Sequence, residues 1–166
     1  METQIQGYSF SKRDGGGISL FGYATKSLPG LEINGLGKYG KILKEKIIFI
    51  TRSRQLPIPL KRFVISTEYE LENDQENLKN LDFPVILLYW YLAGLIQVGK
   101  LDNCVAVGAI SPSGKLCCKS NDKVFEYILK NDLIHIGNSE KIKFPQVQSL
   151  DIKDLLCHIP QIEYEF

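Results

Sequence analysis

No stretch of this chain is both long enough and apolar enough to cross a membrane. The longest apolar run, Phe83 to Ile96, falls short of the about 20 residues that a spanning helix needs. The first residues, Met-Glu-Thr-Gln-Ile-Gln, show no basic segment leading into an apolar one, so no secretory signal is read there and a reduced, cytoplasmic protein is expected. The pattern G-x-x-x-x-G-K-[ST] does not occur, which removes the usual phosphate-cradling loop and its magnesium-binding hydroxyl; ATP hydrolysis by this chain alone is not expected. Histidine is limited to His135 and His158, and the cysteines Cys104, Cys117, Cys118 and Cys157 include no C-x-x-C pair. Without such spacing no metal site and no dithiol redox motif is read, and no cofactor is expected. Net charge is nearly absent too, with 20 Lys and Arg against 19 Asp and Glu, so the sum selects no polyelectrolyte partner.

What is present is unevenly placed. From Lys38 to Arg62 eight basic residues face a single acid, Glu45, and the next twenty positions reverse the sign. A chain of 166 residues buries roughly 70% of its unfolded surface, enough for one core without a staple. The run from Phe83 supplies the centre of that core, because a helix apolar all round has no face to offer water. Asp82 is expected to cap it, with Pro84 in the first turn where a missing N–H costs nothing.

Along the chain, residues 1–16 read as a flexible N-terminal arm, 17–160 as one domain and 161–166 as a tail. Ile18–Ala24 and Leu31–Ile33 read as a hairpin of two strands around Leu28-Pro29-Gly30. Leu36, Tyr39, Ile42, Leu43, Ile47 and Ile50 recur at helical spacing, and the helix ends near Gln55 before Pro57 and Pro59. Lys61–Leu71 is a strand, on which Glu68, Glu70 and Glu72 share one solvated side. Cys104–Ile110 is an interior strand that turns at Ser111–Gly114 into a returning strand. Asn121 caps a helix carrying Val124, Phe125, Ile128 and Leu129; Leu133–Ile136 and Ile142–Phe144 are short strands; Asp151 caps a last helix. Strands and helices mix without strict alternation, which predicts an α+β domain with helices packed on one face of a mixed sheet. Gly35-x-Gly37-x-x-Gly40 spells a dinucleotide signature, but basic and apolar residues fill the region where its acidic partner belongs, so it reads as a strand-to-helix turn.

Four stretches in order resemble the N-terminal domain of the competence protein ComM family, also known as magnesium-chelatase-related proteins. They are Ser27–Leu36, Leu81–Leu88, Val107–Leu116 and Val147–Leu150, and the resemblance spans roughly residues 18–158. It implies a Lon-protease-like domain with the fold of the second domain of a small-subunit ribosomal protein. In that family the domain precedes an AAA+ ATPase module, absent from this chain, and the whole protein acts on DNA in transformation and recombination. An AAA+ ATPase or other protein partner is therefore implied.

Lon-type peptidases activate a serine with a lysine. Laid on the family's pattern, Asp82-Phe83-Pro84 puts Val85 at the nucleophile and Lys123 at the base, a degenerate dyad. Valine cannot attack a carbonyl, and Phe83 fills the place where a glycine would give oxyanion access. The expected function is a non-catalytic binding domain. A second reading is direct nucleic-acid binding through Lys38, Lys41, Lys44, Arg52, Arg54, Lys61 and Arg62. The third, a cryptic peptidase or hydrolase, has Ser111 and Ser113 near Lys115 and Lys119, although serines there are usually turn residues.

Overall fold

The computed structural model describes residues 1–11, 16–71 and 74–156, together with the backbone of Tyr164–Glu165. Its largest element is a seven-stranded mixed sheet. The strands are β1 (Glu2–Ser9), β2 (Gly16–Thr25), β3 (Gly30–Asn34), β4 (Arg62–Thr67), β5 (Cys104–Ala106), β8 (Ile134–Gly137) and β9 (Gln148–Asp151). They lie in the order β3-β4-β2-β1-β5-β8-β9. Pairings β1–β2 and β2–β4 are antiparallel, and the other four are parallel. A smaller sheet joins β6 (Gly108–Ile110), β7 (Leu116–Cys118) and β10 (Tyr164–Glu165).

The N-terminal residues are not an arm. Glu2–Ser9 is an inner strand, paired along its length with β2 and at Gln6 with Val105 of β5. Its polar composition hides a working alternation: Ile5, Gly7 and Ser9 are buried, whereas Gln6 and Tyr8 face the other side of the sheet. There Gln6 Oε1 accepts a hydrogen bond from the Tyr127 hydroxyl at 2.9 Å, and Tyr8 meets the rings of Phe10 and Tyr127. The expected hairpin is corrected as well. β2 and β3 do not pair with each other; β4 lies between them, antiparallel to β2 and parallel to β3. The α1 crossover between β3 and β4 makes the parallel pair, as such connections usually do.

Helix α1 (Tyr39–Ser53) starts at the turn made by Gly35 and Gly37, both at positive φ, and buries Leu43, Ile47 and Ile50. It stops two residues before Gln55, which takes a φ of 53° so that the Gln55 N–H reaches Arg52 O and the Leu56 N–H reaches Thr51 O. This is the left-handed helix ending in which glycine is commonest. The strand expected over Lys61–Leu71 ends at Thr67; Glu68 and Glu70 lie beyond it, exposed, and Glu72 lies outside the described residues.

The central helix, α3 (Asp82–Leu92), is preceded directly by the short α2 (Gln75–Leu78) and a 3₁₀ turn, Lys79–Leu81. Asp82 is therefore the first helical residue and caps nothing, since the preceding turn already leads into the helix. The helix is shorter than the apolar run. Gly94, at φ 79°, closes it, and Leu95 N–H returns to Trp90 O. Phe83 to Trp90 are all buried, and the core gathered around them takes in Ile5, Leu20, Phe63 and Ile136.

Helices occupy both faces of the sheet rather than one. Helix α4 (Asp122–Lys130), capped by Asn121 Oδ1 on Val124 N–H at 3.1 Å, packs Val124, Phe125 and Ile128 around Val105 and Val107. Cys104 and Ala106, the neighbours of Val105 on β5, belong to the core around α3. Alternate residues of a strand point to opposite faces, so α3 and α4 sandwich the sheet. The strand expected over Cys104–Ile110 breaks at Val107, just before Gly108, where the Cys117–Cys118 backbone passes too close for a side chain. Ile142–Phe144 forms no strand; β9 takes that place, and the Asp151 side chain caps α5 (Ile152–Leu155) through Lys153 N–H at 2.8 Å.

Candidate functional site

The opening of α3 holds a charged group in the middle of the core. Asp82 is fully buried, yet its two oxygens are well supplied. Oδ1 accepts from the Tyr39 hydroxyl at 2.5 Å, and Oδ2 accepts from Ile110 N–H at 2.9 Å and from Lys46 Nζ at 3.1 Å. Lys46 also donates to the Tyr39 oxygen at 3.1 Å. Tyr39 and Lys46 stand seven residues apart, about two turns, and so share one side of α1. Burial pushes the Asp82 carboxyl above its usual range, against the lowering effect of Ile110, Tyr39 and Lys46. It pushes the Tyr39 phenol up too, reinforced by the Asp82 charge. One carboxylate thus ties α1, α3 and β6 together, and its lone pairs are taken up by the fold.

Val85, at the position matched to a peptidase serine, is fully buried among other core residues. Lys123 is exposed on α4, across the sheet from α3, on the wall of an open cavity of about 670 Å³ that it shares with Lys141, Lys143, Asp122 and Glu140. The two are not brought together. Ser111 and Ser113 are turn residues: their hydroxyls lie 2.9 Å apart, and Ser111 Oγ accepts from Lys115 N–H at 3.0 Å. Burial pushes the thiols of Cys104 and Cys118 up to about 11 and about 12, away from the thiolate that nucleophilic chemistry needs. Cys157 and His158 lie outside the described residues.

The basic segment does not form one continuous face. Lys38, Lys41 and Arg52 are exposed and lie along one outer stripe of α1, with Glu45 and the exposed Phe49 between them. From Lys38 to Arg52 the stripe runs roughly 21 Å at 1.5 Å per residue. Arg62 is committed elsewhere, as a two-pronged pair with Glu32 at 2.8 and 2.9 Å that holds the Glu32 carboxyl below its usual range, with a smaller contribution from Lys44. Arg54 is half-buried and has a partner of its own. Lys61 is exposed and joins Arg52 on the wall of a separate groove.

Sequence reasoning missed the Tyr39–Lys46–Asp82 cluster. The i, i+7 spacing of Tyr39 and Lys46 was the available signal, but nothing in the sequence placed Asp82 opposite them. Among the described residues no group of three or more His, Cys, Asp or Glu side chains is placed to hold a metal, and no helix is long and apolar enough to cross a membrane. The chain is a mixed α+β protein with a mostly parallel mixed sheet. No protein-family model matches it, and no curated protein does either.

Proposed function

We propose that this chain is a non-catalytic binding domain of the ComM N-terminal type, serving beside an AAA+ ATPase or another protein partner. The observation that carries this reading is the enclosure of Val85: where the related peptidases expose a nucleophile, this chain has a fully buried aliphatic side chain. The adjacent Asp82, its oxygens occupied by Tyr39, Lys46 and Ile110, serves the fold. Binding is left to the surface. The outer stripe of α1 is the best candidate face, since it combines cations with exposed Phe49, and aromatic and arginine side chains are enriched where proteins meet.

The same stripe favours nucleic acid as a second reading, because Lys38, Lys41 and Arg52 are spaced along one line and free to meet successive phosphates. Fluorescence anisotropy of labelled single- and double-stranded DNA, at low and moderate salt, separates the two. Saturable binding that is lost in Lys41→Glu/Arg52→Glu supports the nucleic-acid reading, with a salt slope smaller by about two for two lost phosphate contacts when the milder Lys41→Ala/Arg52→Ala is used. No binding at low salt leaves the stripe to a protein partner.

A further inference from the structure

We propose that the groove between the C-terminal end of α1, the 56–61 segment and α3 binds a small amphipathic anion: an apolar carboxylate carrying a hydroxyl or carbonyl oxygen at its far end. Three features define the ligand, and none depends on the reading of α1 as an interaction face.

The first is volume and lining. The groove measures about 410 Å³, within the roughly 300–1,000 Å³ usual for small-molecule sites. Its walls include Leu31, Ile48, Leu56, Ile58 and Phe63, which suit an alkyl or aromatic body. The second is charge. Arg52 and Lys61 are the charged residues lining it, no acid lines it among the described residues, and both cations are exposed, which puts them at the mouth. An anionic head group is thereby selected over a cationic one, and a carboxylate suits the guanidinium fork of Arg52.

The third is Tyr89. Tyr89 lies on the groove and is only 6% exposed, yet its hydroxyl has no hydrogen-bond partner among the described residues. Its ring is fixed edge-on against Phe63, with centroids 5.0 Å apart. The only fully enclosed side-chain polar atom without a partner among the described residues is Trp90 Nε1, so the Tyr89 oxygen retains a small accessible surface, on a residue that lines the groove. A phenol oxygen that no protein group satisfies can exchange water for a ligand oxygen, at a net gain of about one hydrogen bond. Burial alone accounts for the upward displacement of its acidity, in keeping with an unpartnered hydroxyl.

Titration of the full chain with 8-hydroxyoctanoate, octanoate and octanol, followed by amide NMR shifts, tests the proposal. The expected result is one-site binding with shifts centred on Leu31, Leu56 and Tyr89, and 8-hydroxyoctanoate bound about fivefold more tightly than octanoate, the worth of one hydrogen bond. Arg52→Ala/Lys61→Ala, at exposed positions that leave the fold intact, weakens octanoate at least fivefold and leaves octanol unchanged. Tyr89→Phe, checked for an unchanged melting profile, abolishes the advantage of the hydroxyl while octanoate still binds. No saturable shift with any probe at millimolar concentration would overturn the proposal. So would octanoate binding indifferent to the paired cation variant, or a hydroxyl advantage that survives Tyr89→Phe.

Discussion

Lys46 Nζ lies 3.1 Å from Asp82 Oδ2, joining the outer helix α1 to the first turn of the central helix α3. Lys46 remains 28% exposed at its side chain while Asp82 is fully enclosed, so the two partners differ in what their loss leaves behind. Asp82→Ala strands the Tyr39 hydroxyl and Ile110 N–H inside the core and is expected to cost about 3–5 kcal/mol, the range for breaking a buried charged pair from one side. Asp82→Asn keeps the shape and an acceptor for Ile110, and it costs less. Urea unfolding of the two variants checks the order. Equal stabilities for Asp82→Ala and wild type would show that the cluster does not support the fold.

His135 and Asp82 give opposite pH dependences. His135, on β8, is buried against Phe125, and burial pushes its imidazole down from 6.5 to about 4. A base with a lowered folded pKa contributes stability that is fully present above about 6.5 and is lost as pH falls through about 4, on the order of 3 kcal/mol. Asp82, raised in the folded chain chiefly by burial, contributes stability that is present below its ordinary range near 3.8 and is lost as pH rises through its folded value. Where the two windows overlap, on the acid side of the ordinary histidine value, they oppose each other. His135→Gln is expected to flatten or reverse the acid-side fall in melting temperature, and Asp82→Asn to steepen it. Parallel profiles for His135→Gln and wild type would contradict this assignment.

The inner position of β1 makes the N-terminal residues sensitive to substitution. Ile5 is fully buried in the main core, so Ile5→Ala is expected to cost about 2–5 kcal/mol, whereas the exposed Glu2→Ala stays within about 0.5 kcal/mol. Chemical denaturation of both variants measures the difference. A loosely held arm would give two small and equal effects.

Gln55 carries the left-handed turn that closes α1 without the residue best suited to it. Gln55→Gly is expected to stabilise the chain by a few tenths to about 1 kcal/mol, because a non-glycine residue in this region of φ and ψ costs about that much or more. A thermal shift in the opposite direction would mean that the Gln55 side chain makes contacts worth more than the strain.

These positions show what the sequence could and could not disclose. The buried α3, the Asn121 and Asp151 caps and the Ser111–Gly114 turn were legible because each is a local signal: an all-apolar run, or a polar residue followed by helical spacing. Helix endings were harder to read. Gln55 and Asp132 hold positive φ where glycine would have announced the turn, while Gly94, which did announce it, lay inside an apolar run that masked it. β1 escaped notice because Gln4, Gln6 and Tyr8 make its second face polar, and only α4, more than a hundred residues later, explains why that face is covered. The candidate site was less legible still. Val85 was singled out by the family resemblance and the basic face of α1 by helical spacing, but the Lys46–Asp82 pair and the Tyr89 groove depend on elements brought together by the sheet order.

Turnover of casein by the purified chain and by Val85→Ser is the measurement that bears most directly on the proposal of a non-catalytic binding domain. Serine placed at position 85 enters a closed core with Lys123 on the far side of the sheet, so neither protein is expected to release peptides above background. Turnover by either one that disappears on Lys123→Ala would show that Lys123 serves catalysis and contradict the non-catalytic reading.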